Sequence, residues 1–114
     1  MKIGEIAKLI EGEVVAGNTA EYEITHAFTS DLMSDVLTIN NQDNTILLTG
    51  LANIQTIRTA EMANLSFIIL TRGKKATTEM IEIANENDIV IVESKFSAFR
   101  ASATLFNAGI KFLY

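Results

Sequence analysis

Ser66-Phe67-Ile68-Ile69-Leu70-Thr71 is an apolar run closed at each end by a hydroxyl residue. Its hydrophobicity is continuous rather than alternating, so the strand it forms must be covered on both faces. Two more runs share this character: Thr45-Ile46-Leu47-Leu48-Thr49 upstream and Ile89-Val90-Ile91-Val92 downstream. Behind each run, apolar residues recur at helical spacing: Ile54, Ile57 and Ala60, then Met80, Ile81 and Ala84, then Phe99, Ala103 and Phe106. They predict helices over 53–64, 77–87 and 96–108, the last stopped by Gly109. Strand alternating with helix implies right-handed crossovers. The expected fold is α/β, a single domain over residues 1–114 with a mainly parallel sheet and helices on both faces.

Toward the N-terminus the pattern is less regular. Ile3, Ile6, Ala7 and Ile10 predict a helix over 2–10, with Gly12 as its stop. Residues 13–16 read as a brief strand, 17–21 as a polar loop and 22–29 as a second strand. Ser30 is placed to cap a helix running through 38, and Asp31 suits its positive end. At the other terminus, residues 110–114 either add a last strand or pack on a partner.

Composition narrows the function classes. The 114 residues are 48% hydrophobic and 20% charged, a globular mixture long enough to need no disulfide or metal staple. The absence of cysteine excludes thiolate metal sites and cysteine nucleophiles. The first residues lack a secretory pattern and no apolar stretch has membrane-spanning length, so the expected setting is cytoplasmic, with no membrane partner. A formal net charge of −5 argues against nucleic acid, since the basic cluster is confined to Arg72, Lys74 and Lys75. No cofactor is expected.

Open parallel sheets bind ligands beyond the carboxyl ends of their strands. Here those ends are Thr49-Gly50, Thr71-Arg72-Gly73-Lys74 and Glu93-Ser94-Lys95, each turning from apolar to polar. Gly50 lets the backbone approach a ligand, and free N–H groups near Asn53 and Ile54 are positioned for an anion. Thr71 offers a hydroxyl. Arg72 and Lys74 offer charge beside Gly73, with Arg72 suited to bidentate grip of an oxyanion. The tentative ligand site is therefore Gly50, Asn53, Thr71, Arg72, Gly73 and Lys74. The competing reading is of ordinary strand-to-helix turns with solvated charges, since neither G-x-G-x-x-G nor G-x-x-x-x-G-K-[ST] occurs.

Other candidates read as structural. Asp31 and Asp35, one helical turn apart, fit a metal or acid–base pair less well than a helix start with a solvated face, because no third ligand is spaced for a metal. The single histidine, His26, lies in a strand pattern without a nucleophile or orienting partner. The aromatics Phe96, Phe99, Phe106, Phe112 and Tyr114 crowd the C-terminus and suit core or interface equally. Phe99, Phe106, Phe112 and Tyr114 are the candidate interface of a homodimer.

Taken in order, several segments resemble the DRTGG domain family, whose fold is similar to the N-terminal domain of HPr kinase/phosphorylase. They are Ile3-Gly4-Glu5-Ile6-Ala7 with Gly12-Glu13-Val14, and Asp31-Leu32-Met33-Ser34-Asp35-Val36. Further along come Leu48-Thr49-Gly50, Phe67-Ile68-Ile69-Leu70-Thr71-Arg72-Gly73, and Phe99 with the helix ending Asn107-Ala108-Gly109-Ile110. The chain departs from the family at Arg72, where a second glycine is frequent, and at Leu51-Ala52, where an Asp-Arg pair is frequent. The resemblance implies a non-catalytic regulatory or ligand-sensing domain that takes a small anionic, phosphate-containing ligand and acts on a partner protein. The alternative is an adaptor or dimerisation module with no ligand. A kinase activity is not implied, because the phosphate-cradling loop it needs is missing.

Overall fold

The computed structural model describes residues 1–18, 22–39 and 44–114; within the 17–21 loop read from the sequence, 19–21 lie outside them. The elements run α1 (Ile3–Leu9), β1 (Glu13–Ala16), β2 (His26–Thr29), α2 (Met33–Val36), β3 (Thr45–Thr49), α3 (Ile54–Met62), β4 (Phe67–Leu70), α4 (Thr78–Glu86), β5 (Val90–Glu93), α5 (Ala98–Asn107) and β6 (Lys111–Phe112). They build one sheet in the order β1-β5-β4-β3-β2-β6. Strands β2 to β5 are parallel, and β6 joins β2 in parallel. Of these six strands, β1 is the one that runs antiparallel, against β5.

The apolar runs are continuous because each strand divides its side chains between two cores. Ile46, Leu48, Ile69 and Val92 face α1 and α5. Leu47, Ile68, Leu70 and Ile91 face α2, α3 and α4. Every residue of β3, β4 and β5 is buried. At roughly 1.5–3 kcal/mol per buried aliphatic side chain, these strands anchor the molecule.

The caps follow local chemistry. Asn53, Thr77 and Ser97 each accept a backbone N–H from the first turn of α3, α4 and α5. Gly109, with φ 105°, follows the end of α5 and turns the chain into β6.

Three boundaries differ from the sequence expectation. The second strand is shorter than 22–29: Glu23 makes an isolated antiparallel bridge to Lys2, and regular pairing starts at His26. The reach back to the N-terminus sets this, not propensity. Ser30 does not cap α2. Its hydroxyl accepts the N–H of Leu32 at 3.0 Å in a local turn, and Leu32 takes the cap position. At the end of α1, Glu11 (φ 52°) makes the left-handed turn instead of Gly12. Gly12 is needed for closeness: a Cβ there would lie 2.8 Å from Val92 Cγ1 and 3.0 Å from the Glu93 carbonyl oxygen.

Candidate functional site

Parallel register brings the strand exits to one rim. Thr29 pairs with Leu48, Thr49 with Leu70, and Leu70 with Glu93. Past the strands the ladder continues: the N–H of Ser30 donates to Leu48 O (3.1 Å), that of Thr71 to Thr49 O (3.0 Å), and that of Ser94 to Leu70 O (3.0 Å).

At the middle of this rim, Asp31 leaves the chain ahead of α2 and turns toward the end of β3. Its Oδ1 accepts the Gly50 N–H at 2.7 Å and the Thr49 hydroxyl at 3.0 Å. Thr49 Oγ1 in turn accepts the Leu51 N–H at 3.2 Å. Asp31 therefore does not share a helix face with Asp35, as α2 begins only at Met33.

Gly50 has no left-handed φ. A Cβ built on it would lie 3.6 Å from both Asp31 carboxylate oxygens and 3.8 Å from Thr71 Oγ1, which is ordinary contact. The fold thus makes no demand for glycine at this position. The carboxylate and the Thr71 hydroxyl lie around the one position at which a Gly50 side chain would begin. Thr71 is only 2% exposed, and its hydroxyl has no hydrogen-bond partner among the described residues. Asn53 holds the start of α3: its Oδ1 accepts the Thr56 N–H at 3.1 Å. The Gly50 amide, where the sequence offered a close backbone approach, is already taken by Asp31.

The next exit is a tight left-handed turn. Arg72 (φ 55°) and Gly73 (φ 72°) follow each other in it. Their N–H groups donate to Phe96 O (2.7 Å) and Ser94 O (2.9 Å). Both side chains that carry charge, Arg72 and Lys74, are exposed, and neither makes an ion pair among the described residues. The positive φ of Arg72 gives a physical reason for the second glycine frequent in the DRTGG family. Lys75 differs from its neighbours, since its ammonium lies 3.3 Å from the buried Glu93 carboxylate, which also accepts the Ala76 N–H at 2.8 Å. Beyond it, Gly73, Lys75, Glu93 and Lys95 line a cavity of about 260 Å³ with Glu11, Glu13, Ser94 and Phe96. Gly50 is not part of its lining. The rim therefore carries the Asp31 and Thr71 oxygens around Gly50 and, separately, the cavity beside Lys95, which the Arg72 turn adjoins through Gly73.

His26 lies at the opposite end of its strand, and its Nδ1 is 2.8 Å from Thr25 Oγ1. Among the described residues no three His, Asp or Glu side chains are grouped to hold a metal ion, and no helix is long and apolar enough to cross a membrane.

The C-terminal aromatics divide. Phe96 is buried under the guanidinium of Arg100, 3.7 Å from its ring centroid. Phe99 (85% exposed), Phe106 (57%), Phe112 (67%) and Tyr114 (78%) are not core. Phe106 stacks on Phe112, Tyr114 meets Phe28 edge-on, and a cleft of about 280 Å³ separates α5 from β6.

No family model and no curated protein matches this chain. A solved structure does. The CBS and DRTGG domains of the regulatory region of Clostridium perfringens pyrophosphatase, complexed with the activator diadenosine tetraphosphate, match over 91% of this chain with a TM-score of 0.77. The fold is DRTGG-like. The two sequences are 18% identical, and this chain spans 45% of the length of that one. The DRTGG-like fold agrees with the ordered segments from which the resemblance was read, and it places their Leu48-Thr49-Gly50 and Thr71-Arg72-Gly73 elements side by side on the rim.

Proposed function

We propose that this chain is a non-catalytic regulatory domain that senses a small phosphate-containing ligand at the strand-end rim and passes the bound state to a partner protein. A cytoplasmic setting belongs to the same reading. The observation that carries it is the exit from β4, where, among the described residues, the Thr71 hydroxyl has no partner and the two exposed cations that follow, Arg72 and Lys74, make no ion pair. Ligand sites in parallel sheets form at such exits, because loops there diverge while helix N-termini converge. The regulatory role of the C. perfringens region supports the reading by analogy. Calorimetric titration with nucleotides and sugar phosphates tests it. Binding that weakens at least tenfold in Arg72→Gln/Lys74→Gln is expected; no heat and an unmoved melting temperature with every compound would sink it.

The exposed aromatics favour a second reading, an adaptor or homodimer that needs no ligand. At about 200 Å² per ring, the four side chains present roughly 600 Å², most of the ~800 Å² that one partner contributes to a standard interface. A monomer by sedimentation at high concentration, with no partner recovered from the native host, would remove this alternative.

A further inference from the structure

The rim is not uniformly suited to an anion, and the position of Asp31 decides what each part accepts. Asp31 Oδ1 is occupied by the Gly50 N–H and the Thr49 hydroxyl, while Oδ2 has no protein donor among the described residues. Oδ2 and Thr71 Oγ1 lie 3.6 and 3.8 Å from one point, the position that a Cβ on Gly50 would take. A carboxylate only accepts hydrogen bonds. A phosphate placed over Gly50 would meet a like charge and find the Gly50 amide already taken. A hydroxyl would find an acceptor at Oδ2, and a neighbouring hydroxyl would find the Thr71 oxygen.

Resting on the ligand-sensing reading, we infer that Asp31 and Thr71 form a subsite for the vicinal hydroxyls of a phosphorylated sugar or nucleotide, whose phosphate lies toward Arg72 and Lys74. Carboxylates hold ribose hydroxyls in this manner in dinucleotide-binding folds. In the chain Thr71 is followed at once by Arg72 and three residues on by Lys74, so the cations leave the backbone within one turn of the hydroxyl-reading group. Gly50 also gains a reason. A larger residue would fit the fold there but would fill the space that the hydroxyls enter.

The test titrates the whole chain with adenosine 5′-monophosphate, its 2′,3′-dideoxy analogue, ribose 5-phosphate and inorganic phosphate. Adenosine monophosphate or ribose 5-phosphate should bind, with the dideoxy analogue and inorganic phosphate at least tenfold weaker. Gly50→Ala should keep the wild-type melting temperature and lose the diol-bearing ligand at least tenfold. Asp31→Asn, which keeps an oxygen for the Gly50 amide, should narrow the gap between diol-bearing ligand and inorganic phosphate. Equal binding of the dideoxy analogue, or indifference to Gly50→Ala, would overturn the diol subsite and leave a phosphate sensor standing. No binding by any of the four compounds would overturn both.

Discussion

Three single positions expose how backbone and side chain compete. Gly17 has φ 85°, donates its N–H to Asn85 Oδ1 at 2.8 Å, and leaves no room: a Cβ would fall 2.6 Å from Ile89 O and 2.7 Å from Val90 Cα. Backbone cannot yield as a side-chain tip does, so Gly17→Ala should destabilise by about 2–4 kcal/mol, read as a lower urea midpoint at unchanged slope. Thr45 is 1% exposed and its hydroxyl has no partner among the described residues. Thr45→Val keeps the shape and removes the unsatisfied group, so a gain of about 1 kcal/mol is expected; a loss would mean that a buried water satisfies the hydroxyl. Arg72 sits in a left-handed conformation that disfavours any Cβ. Arg72→Gly should therefore raise stability by about 0.5–1 kcal/mol while weakening phosphate ligands. Separate melts with and without ligand would show those opposite signs.

At the scale of elements, α5 is amphipathic in an unequal way. Ala101 and Leu105 enter the core, while Phe99 and Phe106 project outward, seven residues apart on one face. Exposed rings contribute little to folding, so Phe99→Ser/Phe106→Ser should shift the unfolding midpoint by less than about 0.5 kcal/mol equivalent. If that face is an interface, the same double variant should shift the sedimentation pattern to monomer. Unchanged association would place any interface elsewhere. The β3–α3 junction behaves differently. Asn53 and Thr56 fix the first turn of α3, the Thr56 hydroxyl donating to Leu51 O at 2.8 Å, so the backbone that follows Gly50 is tied to the helix start.

For the whole molecule, stability is concentrated in the middle of the sheet. Strands β3 and β4 have a neighbour on each edge and a helical layer on each face. The outermost strands are weaker: β6 pairs through two residues, and β1 breaks register between Val14 and Ala16. Amides of Leu47, Leu48, Ile68 and Ile69 should exchange only through global unfolding, those of β1 and β6 through local opening. Denaturant-dependent hydrogen exchange distinguishes the two classes; equal protection across the sheet would contradict this gradient. The rim borders the stable centre, so the proposed ligand would meet a preformed surface, whereas the aromatic face borders the looser edge.

The parallel layers were legible in residues 45–49, 66–71 and 89–92, because a strand buried on both faces must be apolar throughout, and that is a property of local composition. The helices and the stop at Gly109 followed from periodicity and residue chemistry of the same short range, whereas Asn53, read from the sequence as a ligand residue, caps α3. The destination of Asp31 was not legible. Its bond to Gly50 spans 19 residues and exists only because β2 lies next to β3, so a residue that reads locally as a helix start becomes the carboxylate of the rim. The antiparallel direction of β1, the shortness of β2 and the division of the aromatics between core and surface have the same origin. Each depends on which elements become neighbours, and adjacency arises only when distant segments bury their apolar faces together.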